Sequence, residues 1–149
     1  MFSHNNKPLI MGILNMTPDS FSDGGKYSSL NDALKQVERM LAEGADIIDI
    51  GGESTRPGSG SVAATDQQRR VIPVITAIRQ QLKSDSLISI DTTSSTVAKA
   101  ALAAGANIIN DVSAGQDDTA MLALAAQTDA PIILMHSQGA PKTMQDDPY

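Results

Sequence analysis

Five short aliphatic runs, each closing on a polar residue, constrain this chain more than any other feature. They are Leu9 to Leu14, Asp46 to Ile50, Leu87 to Ile90, Asn107 to Ile109 and Pro131 to Met135. None alternates cleanly between apolar and polar, the pattern of strands covered on both faces. Between them lie apolar residues at helical spacing. Leu34, Val37, Met40 and Leu41 give the first inward stripe, and Val71, Ile72, Ile75, Ile78 and Leu82 the second. Val97, Ala100, Ala101 and Ala104 give the third, and Met121, Leu122 and Ala125 the fourth. Capping-box patterns place the first two helix starts near Ser29 and Thr65. The third starts near Ser94 and the fourth near Asp117 or Asp118. Pro73 lies inside the second stripe and predicts a kink or restart. Gly44 and Gly105 stand where helix stops belong. The stretch Gly44-Ala45-Asp46-Ile47-Ile48-Asp49 is echoed by Gly105-Ala106-Asn107-Ile108-Ile109-Asn110, as a reused strand–helix joint predicts.

Strands alternating with helices mean an α/β fold with a parallel sheet. Two architectures fit: an open doubly wound sheet and part of a (β/α)8 TIM barrel. No Gly-x-Gly-x-x-Gly follows the first strand, and no Walker sequence occurs. The five strands end at Asn15, just before Glu53, at Asp91, at Asn110-Asp111 and at His136. In a barrel these ends converge on one mouth, where such enzymes keep their sites. The barrel is the better reading. A full barrel takes about 250 residues. The 149 residues here hold about five βα units and read as one incomplete N-terminal part, residues 1–149.

A net charge of −6 argues against nucleic acid, which requires a basic face. It also leaves any anionic substrate to local devices: a metal, an Arg or backbone N–H groups. The absence of cysteine removes disulfides, thiolate nucleophiles and Cys-bound zinc. The first residues lack a signal-peptide layout, and no apolar run has the ~20 residues that span a bilayer. The expected partners are therefore small molecules rather than a membrane, and the expected location is the cytoplasm.

Two long polar loops follow the first two strands. Asn15 opens the first, which also carries Asp19, Phe21 and Asp23. An amide oxygen suits Mg2+, which keeps several waters and borrows phosphate ligands from its substrate. Asn15 is equally a turn-capping amide. The second loop carries Ser54, Thr55, Arg56 and Pro57 among glycines. Hydroxyls, glycine amides and one Arg make an anion cradle, and Arg56 is read as the only cation within reach of a strand end. An exposed surface Arg is the alternative. Asp91 and Asn110 close strands with apolar interiors. Side by side they can read the donor–acceptor edge of a heterocycle, or simply bond neighbouring loop backbone. His136 is read as structural and stays outside the catalytic set.

Together these motifs resemble dihydropteroate synthase. They are Met11-Gly12-Ile13-Leu14-Asn15-Met16-Thr17-Pro18-Asp19-Ser20-Phe21-Ser22-Asp23-Gly24-Gly25 and Asp49-Ile50-Gly51-Gly52-Glu53-Ser54-Thr55-Arg56-Pro57-Gly58. Ile90-Asp91-Thr92, Ile108-Ile109-Asn110-Asp111-Val112 and Leu134-Met135-His136-Ser137-Gln138-Gly139 follow in order. The resemblance implies a (β/α)8 barrel that joins p-aminobenzoate to 6-hydroxymethyl-7,8-dihydropterin pyrophosphate, releasing pyrophosphate. It implies that Asp91 and Asn110 bind the pterin and that Asn15 helps hold Mg2+. Thr55 and Arg56 would contact pyrophosphate on a loop ordered by Ser54 and Pro57. Phe21 and Pro57 would wall the p-aminobenzoate pocket, where sulfonamides compete. Asp23 would face the cation that develops on the pterin, so Asp23 and Asp91 form the catalytic pair. Met135 would pack beneath the pterin ring, and a homodimer is implied for the full-length enzyme.

Two departures stand out. Asp91-Thr92-Thr93-Ser94 replaces the family's frequent Asp-Thr-Ser-Lys. The family's later pterin-binding Asp, its Lys and its anion-holding Arg and His have no counterparts in the 149 residues. A polypeptide of these residues alone is therefore expected to lack appreciable synthase activity; condensation at near-normal rates would refute this. Its open strand edges are expected to invite association. The competing readings are a pterin-binding methyltransferase domain and a non-catalytic truncated fragment.

Overall fold

In a computed structural model, residues 8–16, 26–53, 62–113 and 115–134 are described. The elements are β1 (Met11–Asn15), α1 (Lys26–Ala42), β2 (Ile47–Gly51), α2 (Ala64–Gln80), β3 (Leu87–Asp91), α3 (Ser95–Ala104), β4 (Ile108–Asp111), α4 (Ala120–Thr128) and β5 (Ile132–Leu134). The strands form one parallel sheet in the order β1-β2-β3-β4-β5. A doubly wound sheet reverses its strand order partway; this one does not. Successive right-handed crossovers then put every helix on the same face, as in a (β/α)8 barrel.

The helix-side face carries the core. Leu14, Ile48, Ile50, Ile88, Ile90 and Ile109 pack there against Val71, Val74, Ile75 and Ile78 of α2 and Val97 and Ala101 of α3. Each such aliphatic side chain contributes roughly 1.5–3 kcal/mol by leaving water. With two Phe, two Tyr and no Trp in the chain, Ile, Leu, Val, Ala and Met supply nearly all of that burial.

The joints explain the sequence echo. Gly44 and Gly105 have φ of 104° and 128°, in the region that favours glycine. Their N–H groups donate to Leu41 and Leu102, and the next residues, Ala45 and Ala106, donate to Met40 and Ala101. This paired closure is a Schellman motif, made twice. The following residue then enters the sheet by a repeated device. Asp46 N donates to Ile10 O while its carboxylate accepts from Ile10 N; Asn107 N donates to Ile88 O while its Oδ1 accepts from Ile88 N.

Several boundaries differ from the sequence expectations. The helix α1 begins at Lys26, ahead of Ser29. The start of α2 is Ala64, behind Ala63, with no side-chain cap; Ser94 does cap α3, its Oγ accepting from Val97 N. No restart occurs at Pro73, and α2 runs through it. Pro73 is on the exposed side of α2, where a missing helix hydrogen bond costs least. Because α4 starts at Ala120, its buried stripe is Met121, Leu124 and Ala125, and Leu122 faces out. Among the described residues no helix is long and apolar enough to cross a membrane.

Candidate functional site at the strand ends

Parallel register sets Asn15, Gly51, Asp91, Asn110 and Ile133 side by side across the ends of the five strands. They lie on the face turned away from the helices. Two residues earlier along the same face come Ile13, Asp49, Ser89 and Ile108. The site is therefore two rows deep, with Asn15, Asp91 and Asn110 as the polar members of the upper row and Asp49 and Ser89 between Ile13 and Ile108 in the lower.

Asp49, only 2% exposed, is the hub of the lower row. Its Oδ1 accepts from Ser89 Oγ at 2.5 Å and from Asn110 Nδ2 at 3.3 Å. Burial pushes its carboxyl above the usual range, and these two hydrogen bonds oppose the shift. Asn110 Oδ1 is the one buried side-chain polar atom without a partner among the described residues. Such an acceptor costs free energy until a ligand or water satisfies it.

The carboxyl of Asp91 is pushed up to about 7, first by burial and then by the charges of Asp49, Glu53 and Asp111. Burial together with specific charge partners makes Asp91 a candidate functional position. Gly51 lies between Asn15 and Asp91 in the row. A Cβ there would stand 3.3 Å from Asp91 Cβ, so glycine leaves the space beside that carboxylate open.

Behind the row, a second network ties down the loop stems. Glu53 Oε2 accepts from Gln67 Nε2 at 3.0 Å and from Val62 N at 3.4 Å. Gln67 also donates to Val62 O and accepts from Thr92 Oγ1, whose oxygen takes Ser94 N. Gln67 thus joins both stems of the 54–61 loop to the turn after β3. Asp111 orders the turn after β4, accepting from Ser113 N and Oγ and from Gly115 N.

Of the residues singled out from the sequence, Asp91 and Asn110 are brought together at the mouth. Asn15 stands exposed at the end of β1. Phe21, Asp23, Ser54, Thr55, Arg56, Pro57 and Met135 lie outside the described residues, as do Asp19 and His136. Two expectations need correction. The strand that delivers Asp91 is not apolar throughout on the site face, because Ser89 lies there, and neighbouring β2 carries Asp49 on that face; β4, which delivers Asn110, is apolar there at Ile108. Arg56 is also not the only cation near a strand end: Arg70 Nη1 donates to Gly52 O at 2.7 Å, just past β2. A carboxylate interrupting Ile47-Ile48-Asp49-Ile50 and a hydroxyl interrupting Leu87-Ile88-Ser89-Ile90 are the signals for the first. Gln67 and Arg70 lie near the start of α2, where Gln67 continues the buried stripe one turn before Val71 as a polar residue that the apolar pattern does not mark.

The chain matches the pterin binding enzyme family over residues 11–149. It is 63% identical over 129 residues to a dihydropteroate synthase of Streptococcus pyogenes serotype M1, covering 87% of this chain and 48% of that relative. The dihydropteroate synthase of Clostridium difficile, solved in the presence of pteroic acid, superposes with a TM-score of 0.86 at 41% identity. That match covers 98% of this chain and 57% of the other. The Xanthomonas albilineans dihydropteroate synthase, solved with 4-aminobenzoic acid, gives 0.80 at 46% identity, covering 90% and 48%. The chain thus spans about half the length of the curated relatives it matches. With a parallel sheet in sequential order and an acceptor-rich row at its strand ends, the chain belongs to the pterin-binding enzyme family.

Proposed function

We propose that the protein acts as a dihydropteroate synthase of folate biosynthesis, condensing 6-hydroxymethyl-7,8-dihydropterin pyrophosphate with p-aminobenzoate. The observation that carries this reading is the Asp91–Asn110 pair. A carboxyl titrating near neutrality and an unpartnered amide oxygen stand in adjacent register beside the open space at Gly51. This row can hold the polar edge of a heterocycle. The relatives solved with pteroic acid and 4-aminobenzoic acid support the same chemistry.

The reaction forms a C–N bond from the aniline nitrogen to the pterin methylene. The C–O bond to pyrophosphate breaks, and the nitrogen gives up a proton. The leaving group departs with its electron pair, so positive charge develops on the pterin. Positioning and electrostatics contribute more here than a strong base. Asp91 and Asn110 clamp the ring, and Asp23 faces the developing cation. By the family resemblance, Thr55 and Arg56 would hold the pyrophosphate with help from Ser54 and Pro57, Phe21 and Pro57 would wall the p-aminobenzoate pocket, and Met135 would underlie the ring.

Among the described residues no cluster of three or more His, Cys, Asp or Glu could hold a metal ion. A metal arriving with its own phosphate ligands needs little from the protein, and the exposed amide of Asn15 offers one oxygen of the right kind. Bound there, Mg2+ would absorb charge on the departing pyrophosphate. A homodimer and a cytoplasmic location complete the proposal. The test is condensation by the intact native protein, followed as dihydropteroate formed from both substrates. EDTA should abolish it and Mg2+ restore it. Absence of product with Mg2+ present overturns the reading.

A further inference from the structure

The amide of Asn110 has two ends of opposite character, and the surroundings choose between them. An ionised carboxylate only accepts hydrogen bonds. Asp49 Oδ1 lies 3.3 Å from Asn110 Nδ2, so the NH2 end of the amide must face it. Turning the amide over would set two acceptors against each other in a space where Asp49 is 2% and Asn110 9% exposed. Ser89, fully buried, spends its only hydroxyl proton on the same carboxylate oxygen and braces it. The carbonyl end of Asn110 is left over, buried and unpartnered.

We propose that Asp49, braced by Ser89, is a positioning residue that locks the Asn110 amide with Oδ1 toward the ligand, so that the site requires an N–H donor there. The proposal rests on the pterin reading of the site and deepens it. A heterocycle presenting an acceptor at this point meets Asn110 Oδ1 lone pair to lone pair and is rejected. The charged form of Asp91, next in register, also accepts. The ligand edge that fits carries donors at neighbouring positions.

The test compares three variants in the intact native protein, with 6-hydroxymethylpterin titrated calorimetrically. An amide at position 49 can meet Asn110 in either sense, so Asp49→Asn removes the lock. Pterin affinity should fall about tenfold, the worth of one well-placed hydrogen bond, while the KM for p-aminobenzoate stays unchanged. Combining Asp49→Asn with Asn110→Asp restores a donor–acceptor pair and an acceptor toward the ligand, and should recover most of the affinity. Ser89→Ala should give a smaller loss of the same sign and serves where Asp49→Asn does not fold. Unchanged pterin affinity in a folded Asp49→Asn protein overturns the inference, as does a double variant no better than the single. Failure of the unaltered protein to bind the pterin overturns the functional reading alone. Proton exchange of the Asn110 side-chain amide, followed by NMR without ligand, then decides the lock: it should be slow in the native protein and fast in Asp49→Asn, and equal rates overturn it.

Discussion

Asp91 takes on its meaning from the other carboxylates around it. Its proton stays bound to about pH 7 in the folded protein, against an ordinary carboxyl value of 3.8. Between these values the folded state binds more protons than the unfolded chain. Stability from this group is therefore full below the lower value and is lost as pH rises through the higher one. Melting temperature is expected to fall between about pH 4 and about pH 7, and Asp91→Asn should flatten that fall. A calorimetric scan of both proteins across this range is the check, and parallel profiles would count against the assignment. Gly51 belongs to the same argument. Gly51→Ala puts a methyl 3.3 Å from Asp91 Cβ, in the space proposed for the ligand, so pterin affinity is expected to drop about tenfold in the folded variant.

At the scale of elements, the joints between helices and strands hold the sheet to its helices. Arg79, near the end of α2, is half-buried and donates to Gly105 O through Nε and Nη2, to Ser84 O and Ser86 O through Nη1, and to Asn107 Oδ1. Burial lowers its pKa, and Asp85 opposes the shift. Five hydrogen bonds at the helix end of the sheet tie α2, the turn before β3 and the turn before β4 into one corner. Arg79→Ala leaves three backbone carbonyls without that partner and should cost about 2–3 kcal/mol in urea unfolding. Gly105→Ala should cost about 1–3 kcal/mol. The φ of 128° strains any side chain, and a Cβ would stand 2.8 Å from Arg79 Cγ. At the opposite face Asp118 plays a lesser joining role. Its carboxylate accepts from Ser95 N and Ala120 N, linking the starts of α3 and α4; the Ser95 side chain first, and then these two bonds, hold its pKa down.

For the molecule as a whole, the joints and the proposed site stand at opposite ends of the sheet. The joints made by Gly44, Gly105 and Arg79 stand at the strand starts, and Asp91 and Asn110 at the strand ends, with Asp49 one row below them. Among the described residues β2, β3 and β4 are paired on both sides, whereas β1 and β5 pair on one side only. Ile13 on β1 is 54% exposed, while Ile48, Ile50, Ile88 and Ile90 are fully buried. In a polypeptide of residues 1–149 alone, amide hydrogen exchange is therefore expected to be slowest across β2 and β3 and faster in β1 and β5. Uniform protection over all five strands would contradict this account of the sheet.

Sequence alone determined the alternation of five strands with four helices, the parallel sheet and the glycine stops, because these depend on local periodicity and backbone freedom. It also singled out Asp91 and Asn110, since a polar residue at the end of an aliphatic run is visible without knowing its neighbours. The start of α2 was harder to read, because Thr65 has the right spelling for a cap while Ala63 occupies the position. Strand order decided between the two architectures, and order is a matter of which strands touch. Only the tertiary structure joined Asp49 to Asn110 across 61 residues, Gln67 to Thr92 across 25, and Arg79 to Gly105 across 26. Parallel pairing brings such residues to one spot by register, and register is set by the packing of whole strands against their helices. The carboxyl of Asp91 follows the same logic: its residue type was legible, but its titration near neutrality depends on burial and on three distant carboxylates that the fold gathers around it.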